Sequence, residues 1–127
     1  MENIREKFVI FLKNLNIQFK YEGQNIAFEK NGLNYLFMFF ENDPYYFRLS
    51  LPVIDQHKKD KDERINSINR QYKVAKLLVV EENIWLVADS FVYSTGNVER
   101  LFDRLLILLE EMIMNYRAQS EKGGEKK

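Results

Sequence analysis

The side chains best suited to chemistry are few and scattered along this sequence. His57 is the only histidine and stands in the charge run Asp55 to Glu63 (DQHKKDKDE). Metal ligation or acid–base work there would need partners that no neighbouring residue supplies, so it reads as a surface histidine. Asp60, Asp62 and Glu63 are close enough to suggest a cation, but the glycine and the distal bidentate glutamate of a calcium loop are missing. Asp60 with Glu63 fits a capping box at a helix start instead. Asn66 and Asn69 could read a ligand, yet they lie at the edge of an apolar stripe, where side-chain amides bind the backbone of neighbouring segments. With no cysteine there is no thiolate nucleophile, thiolate metal site or disulfide. No glycine-rich loop follows a strand and no Gly-x-Ser-x-Gly occurs, so phosphate binding and acyl transfer lack their usual supports. The expectation is a protein that is not an enzyme, with no catalytic, cofactor-binding or metal-binding residues.

Composition narrows the class further. The 127 residues suit one domain, expected to span 1–117 and to be followed by a disordered tail, 118–127, whose sequence AQSEKGGEKK buries nothing. Aromatic residues at 14% exceed what a disordered chain carries, so the domain has an ordered core. Nineteen basic and nineteen acidic side chains cancel, leaving no global field to draw the chain to phosphate backbones or anionic lipid. No nucleic acid and no membrane partner is expected. The absence of a signal peptide or an apolar span makes a cytoplasmic location the expectation.

The elements that must position any site follow from periodicity. Ile4, Phe8, Phe11, Leu12 and Leu15 repeat at helical spacing, while Val9 and Ile10 project from the back of that stripe. From Phe19 the period becomes two. A short Phe19/Tyr21 segment leads to Ile26 and Phe28, and Asn31-Gly32 marks a type I′ hairpin turn, since both residues tolerate positive φ. Leu33 to Phe40 is apolar on both faces and reads as a central strand covered on each side. After Asn42-Asp43-Pro44 the chain alternates cleanly, with Tyr45, Phe47, Leu49, Leu51 and Val53 inward and Tyr46, Arg48, Ser50 and Pro52 outward. Ile65, Ile68 and Tyr72 supply a narrow helical stripe. Val74 to Val80 and Ile84 to Phe91 form a second hairpin about Glu81-Glu82-Asn83, and Ser94 to Asn97 offer N-caps for a closing helix to Arg117. The fold class is α+β: two layers, an antiparallel five- to six-stranded sheet with long N- and C-terminal helices, in the order α-β-β-β-α-β-β-α.

Two surfaces have apolar groups to spare. In the closing helix Val98, Leu101, Phe102, Leu105, Leu108, Leu109, Met112 and Tyr116 make a broad apolar face. Ile107 and Met114 fall opposite, two turns apart, among Arg100, Asp103, Arg104 and Glu111. Such flanking charges suit a subunit interface better than a neighbouring helix, so Val9, Ile10, Ile107 and Met114 are interface candidates. Tyr46 and Arg48, with Trp85, could form a platform for an extended peptide, unless the middle helix covers them.

The run Ile65-Asn66-Ser67-Ile68-Asn69-Arg70, followed by Val74-Ala75-Lys76-Leu77 and then by Trp85, Val87 and a long helix from Asn97 to Tyr116, resembles the YbjN-like family. That family shares the fold of the type III secretion chaperones and includes bacterial proteins labelled sensory transduction regulators. The resemblance covers roughly Ile4 to Tyr116. It implies a homodimeric, non-enzymatic, chaperone-like module that binds a protein partner, whose identity the residues leave unknown. A small-ligand-binding sensory regulator, with a pocket between the sheet and the middle helix, is the alternative.

Overall fold

The computed structural model describes residues 3–54, 60–92 and 98–125. His57 and the N-cap signals of Ser94 to Asn97 lie outside the described residues. Helix α1 spans Ile4–Asn14, and Asn3 caps it by accepting the Glu6 amide at 2.9 Å. Four strands follow: β1 (Phe19–Glu22), β2 (Asn25–Lys30), β3 (Leu33–Phe39) and β4 (Tyr46–Val53). Helix α2 (Lys61–Gln71), the hairpin of β5 (Ala75–Val80) and β6 (Asn83–Phe91), and helix α3 (Val98–Glu125) complete the chain. The segment before the first expected strand is thus a strand in its own right, paired with β2 from Phe19 opposite Phe28 to Glu22 opposite Asn25.

All six strands are antiparallel, in the spatial order β1-β2-β3-β4-β6-β5. The β5–β6 hairpin therefore folds back so that β6 fills the place beside β4 and β5 becomes an edge. The Asn31-Gly32 turn forms as its residue types predict, with φ of 53° and 78°. The second hairpin turns on Glu81-Glu82 alone, since Asn83 already pairs with Val80. Those two glutamates also have positive φ, 50° and 71°, without the side chains that tolerate it. Glu82→Gly is accordingly expected to stabilise the fold by about 1 kcal/mol, seen as a higher urea midpoint at unchanged slope. No gain would show that this turn stores no strain.

The core is a single apolar cluster between the helices and one face of the sheet. Phe8 of α1 stacks on Phe37 at 4.2 Å between ring centroids and leans on Phe28 at 5.3 Å. Phe102 of α3 meets Phe8 edge-on at 4.9 Å and Phe47 at 5.4 Å, so the two helices and β3–β4 share one aromatic nucleus. Helix α2 brings Ile65 and Ile68 into the same cluster. It lies beside α3, where Arg64 sits 5.9 Å from the centre of the Tyr116 ring and the Tyr72 hydroxyl donates to Glu111 at 3.3 Å.

Several expectations are corrected by these contacts. Val9, expected on the back of the α1 stripe, is buried in the core cluster. Leu15 is the α1 C-cap and is 46% exposed, having left the helical stripe. Tyr45 precedes β4 and is exposed; its amide is held by the Asp43 carboxylate in the turn. Asp60 adopts left-handed φ of 56° and its side chain makes no capping bond, so the expected capping box does not form. The α3 backbone stays helical to Glu125, past Arg117, through the helix formers Ala118, Gln119 and Glu121. Finally, β3 is covered on one side only: Leu33, Tyr35 and Phe37 are buried, while Leu36 and Met38 on its other side remain half-exposed.

Candidate functional site

That uncovered side continues across the whole sheet. Alternation along each strand places Tyr46, Arg48, Ser50 and Pro52 of β4 on it, and register sets Phe91, Asp89, Val87 and Trp85 of β6 opposite them. The three helices all pack on the other side, so no described helix or strand lies over this face. Tyr46, Arg48 and Trp85, which sequence alone grouped as a platform, do share it, and α2 does not cover them.

Its centre is an ion pair. Arg48 donates from Nε to Asp89 Oδ1 at 2.5 Å and from a terminal nitrogen to Oδ2 at 3.0 Å, the two-pronged geometry that favours guanidinium over ammonium. The Tyr46 hydroxyl lies beside this pair, and burial, followed by the neighbouring Asp89 carboxylate, holds its pKa above the ordinary tyrosine value. Ser50, only 2% exposed, directs its hydroxyl at the Leu36 carbonyl and the Met38 sulfur. Around this polar centre lie Phe40, Tyr46 and Phe91 as an aromatic row, with centroids 5.1 and 4.9 Å apart. Val87 is buried although it belongs to this face rather than to the main cluster.

The ion pair makes a signed prediction. Burial pushes the Asp89 carboxyl up, but the bonds from Arg48 and the adjacent Tyr46 hydroxyl, with the charges of Arg48 and Lys76, pull it further down, so it ionises below the usual carboxylate value. A depressed folded-state pKa contributes stability that is present above about pH 4 and is lost as pH falls through the lower folded value. Because both partners are about a third exposed, with side-chain exposure of 32% and 38%, the pair is expected to contribute less than about 1 kcal/mol. The stability gap between wild type and Asp89→Asn should therefore shrink as pH drops below about 4. A gap constant from about pH 7 to pH 3 would refute the assignment.

Two buried titratable groups, Tyr35 and Arg64, belong to the helix side of the fold. The Tyr35 hydroxyl is buried and has no hydrogen-bond partner among the described residues; burial, with Glu110 nearby, pushes its pKa up to about 12. Arg64 is 6% exposed on α2. Among the described residues no group of histidine or carboxylate side chains is placed to hold a metal ion, and no helix is long and apolar enough to cross a membrane. Surface concavities of about 520 Å³ and 500 Å³ lie against β1–β3 and at the β3–β4 turn. Where the ligand pocket was expected, between the sheet and α2, Ile68 is fully buried.

Asn69 carries out the role its position suggested. Its Oδ1 accepts the Leu77 amide at 2.8 Å and its Nδ2 donates to the Leu77 carbonyl at 3.1 Å, while Asn66 is exposed. The remaining interface candidates, Ile10, Ile107 and Met114, are exposed by 38%, 54% and 62%. Asp89 and Phe91 were missed as site residues. Their signal was the outward parity of Trp85, Val87, Asp89 and Phe91, which becomes informative only once β6 is known to lie beside β4.

A two-layer α+β arrangement with three helices on one side of a six-stranded antiparallel sheet defines the class of this protein. No family model matches the sequence, and the search of curated proteins finds no match. Among solved structures the chain is similar to YbjN from E. coli, described as a candidate transcription regulator, with a TM-score of 0.68 at 12% identity over 97% of each chain. The chain has the YbjN-like fold, and the likeness is one of fold.

Proposed function

We propose that this chain is a non-catalytic, chaperone-like interaction module that contacts protein through the open face of its sheet. The observation that carries this reading is the uncovered Phe40–Tyr46–Phe91 row beside Trp85, with Arg48 and Asp89 already satisfied by each other. Aromatic and arginine side chains around a desolvatable centre are the composition of protein interfaces. The functional groups of the face bond one another and leave no activated nucleophile or base, which supports binding over catalysis. Zero net charge favours a protein partner over the nucleic acid that YbjN's description would suggest. The resemblance to YbjN-like proteins also supports homodimerisation. The pocket expected under α2 draws no support from the isoleucines that fill that space.

A photo-crosslinking phenylalanine analogue at Phe91, compared with one at Ile107, tests the reading in cells. Protein adducts are expected from Phe91, whatever the partner. Adducts from Ile107 alone, or from neither position, would overturn the assignment of the sheet face.

A further inference from the structure

We infer that one end of the open face, where Phe40, Tyr46 and Phe91 meet the β3–β4 turn, binds the guanidinium of an arginine presented by the partner protein. This rests on the reading that the face contacts protein, and it names the side chain that docks there.

Topology sets the rings in place. Phe40 follows the last residue of β3, Tyr46 opens β4 and Phe91 closes β6 opposite Tyr46, so the three cross one end of the sheet. Adjacent rings are tilted by 47° and 46°, and Phe91 is 51% exposed. Beside the row, the concavity of about 500 Å³ is lined by Phe40 and Tyr46 together with Glu41 and Asp43. Ring faces next to carboxylates are surroundings that favour a cation, because the ring quadrupole and the fixed negative charge both attract it.

Charge decides the sign of the ligand. Among the described residues neither Glu41 nor Asp43 pairs with a basic side chain. Arg48, on the same face, is held by Asp89 through two bonds and is not their partner. The turn is also preformed. Asp43 donates its amide to the Phe40 carbonyl at 3.1 Å, its own carbonyl accepts the Tyr46 amide at 3.1 Å, and its Oδ1 accepts the Tyr45 amide at 3.3 Å. Binding there orders little backbone. Arginine fits better than lysine, since one planar head group can stack on a ring and reach a carboxylate together. The chain already uses this chemistry on its helix side, where Arg5 lies 5.0 Å from the centre of the Phe39 ring and donates to the Gln24 carbonyl at 3.5 Å.

The probe is acetyl-Ala-Arg-Ala-amide, titrated into the isotope-labelled full chain and followed by amide NMR shifts. Saturable shifts are expected within residues 40–46 and at Phe91, with Kd on the order of 1–10 mM. The neutral, nearly isosteric citrulline peptide should bind at least about tenfold more weakly, and methylguanidinium, the head group without a chain, about threefold more weakly. Glu41→Gln with Asp43→Asn should weaken the arginine peptide about fivefold, while the new amide oxygen can still accept the Tyr45 amide. Phe40→Leu, which keeps apolar bulk and removes a ring face, should weaken it by a similar factor. Shifts that do not saturate, that lie elsewhere or that the citrulline peptide reproduces overturn the inference, as does unchanged binding in either variant. Equal binding of methylguanidinium overturns the assignment to a protein segment. If Phe91 crosslinks to protein while the arginine peptide does not bind, the interaction reading survives and the cation site does not. Arginine-peptide binding without crosslinks from Phe91 does the reverse.

Discussion

Phe102→Ala is expected to destabilise the fold by about 3–5 kcal/mol. Phe102 is fully buried and touches the rings of Phe8, Phe11 and Phe47 from α3, so it joins both long helices to the sheet. Truncation removes transfer free energy and opens a cavity lined by rigid rings that cannot collapse into it. Against a total of about 5–15 kcal/mol for a domain of this kind, that loss is a large share. Urea unfolding should show a lower midpoint with an unchanged slope. Ile107→Ala, one and a half turns along the same helix, should change stability by no more than about 0.5 kcal/mol, because that side chain is exposed. A loss at Phe102 below about 1.5 kcal/mol would mean that this ring is not the joint between the layers.

The contrast between those two residues shows what periodicity can reveal. Phe102 and Ile107 were separable by wheel position alone, as were Phe8 and Phe11 on α1, because a helix repeats its faces every 3.6 residues whatever it packs against. The Asn31-Gly32 turn was legible for an equally local reason, the φ its residues accept. Val9 was not, since its burial depends on where α3 and the sheet sit around α1. Strand parity placed Tyr46 and Arg48 outward, but parity says nothing about what stands outside. That α2 packs against α3 rather than over Arg48 is decided by contacts such as Tyr72 with Glu111 and Asn115, between residues far apart in the chain. The partner of Arg48 was hidden in the same way, because Asp89 reaches it only through the β4–β6 pairing. The composition of the face was readable, and its continuity across strands was not.

Asn69→Leu is expected to cost about 2–3 kcal/mol and to change how the protein associates. Edge strands present unpaired amides and carbonyls, and β5 is an edge that ends in exposed Val79 and Val80 and is preceded by exposed Val74. Asn69 reaches from α2 and satisfies both backbone groups of Leu77 at once, as a neighbouring strand would. Leucine has nearly the same volume but can bond neither group, so the part-buried Leu77 amide and carbonyl lose their partners together. Asn69→Asp should fall between, because a carboxylate still accepts from the amide but repels the carbonyl. The second consequence is more diagnostic. With its middle rung free, β5 becomes able to pair along its edge, and Asn69→Leu should form assemblies larger than a dimer at concentrations where wild type does not. Light scattering beside a urea titration separates the two effects. A stability loss under about 0.5 kcal/mol, with assembly unchanged, would show that water satisfies Leu77 as well as Asn69 does. If both effects occur, the asparagine both stabilises the fold and steers association away from the β5 edge.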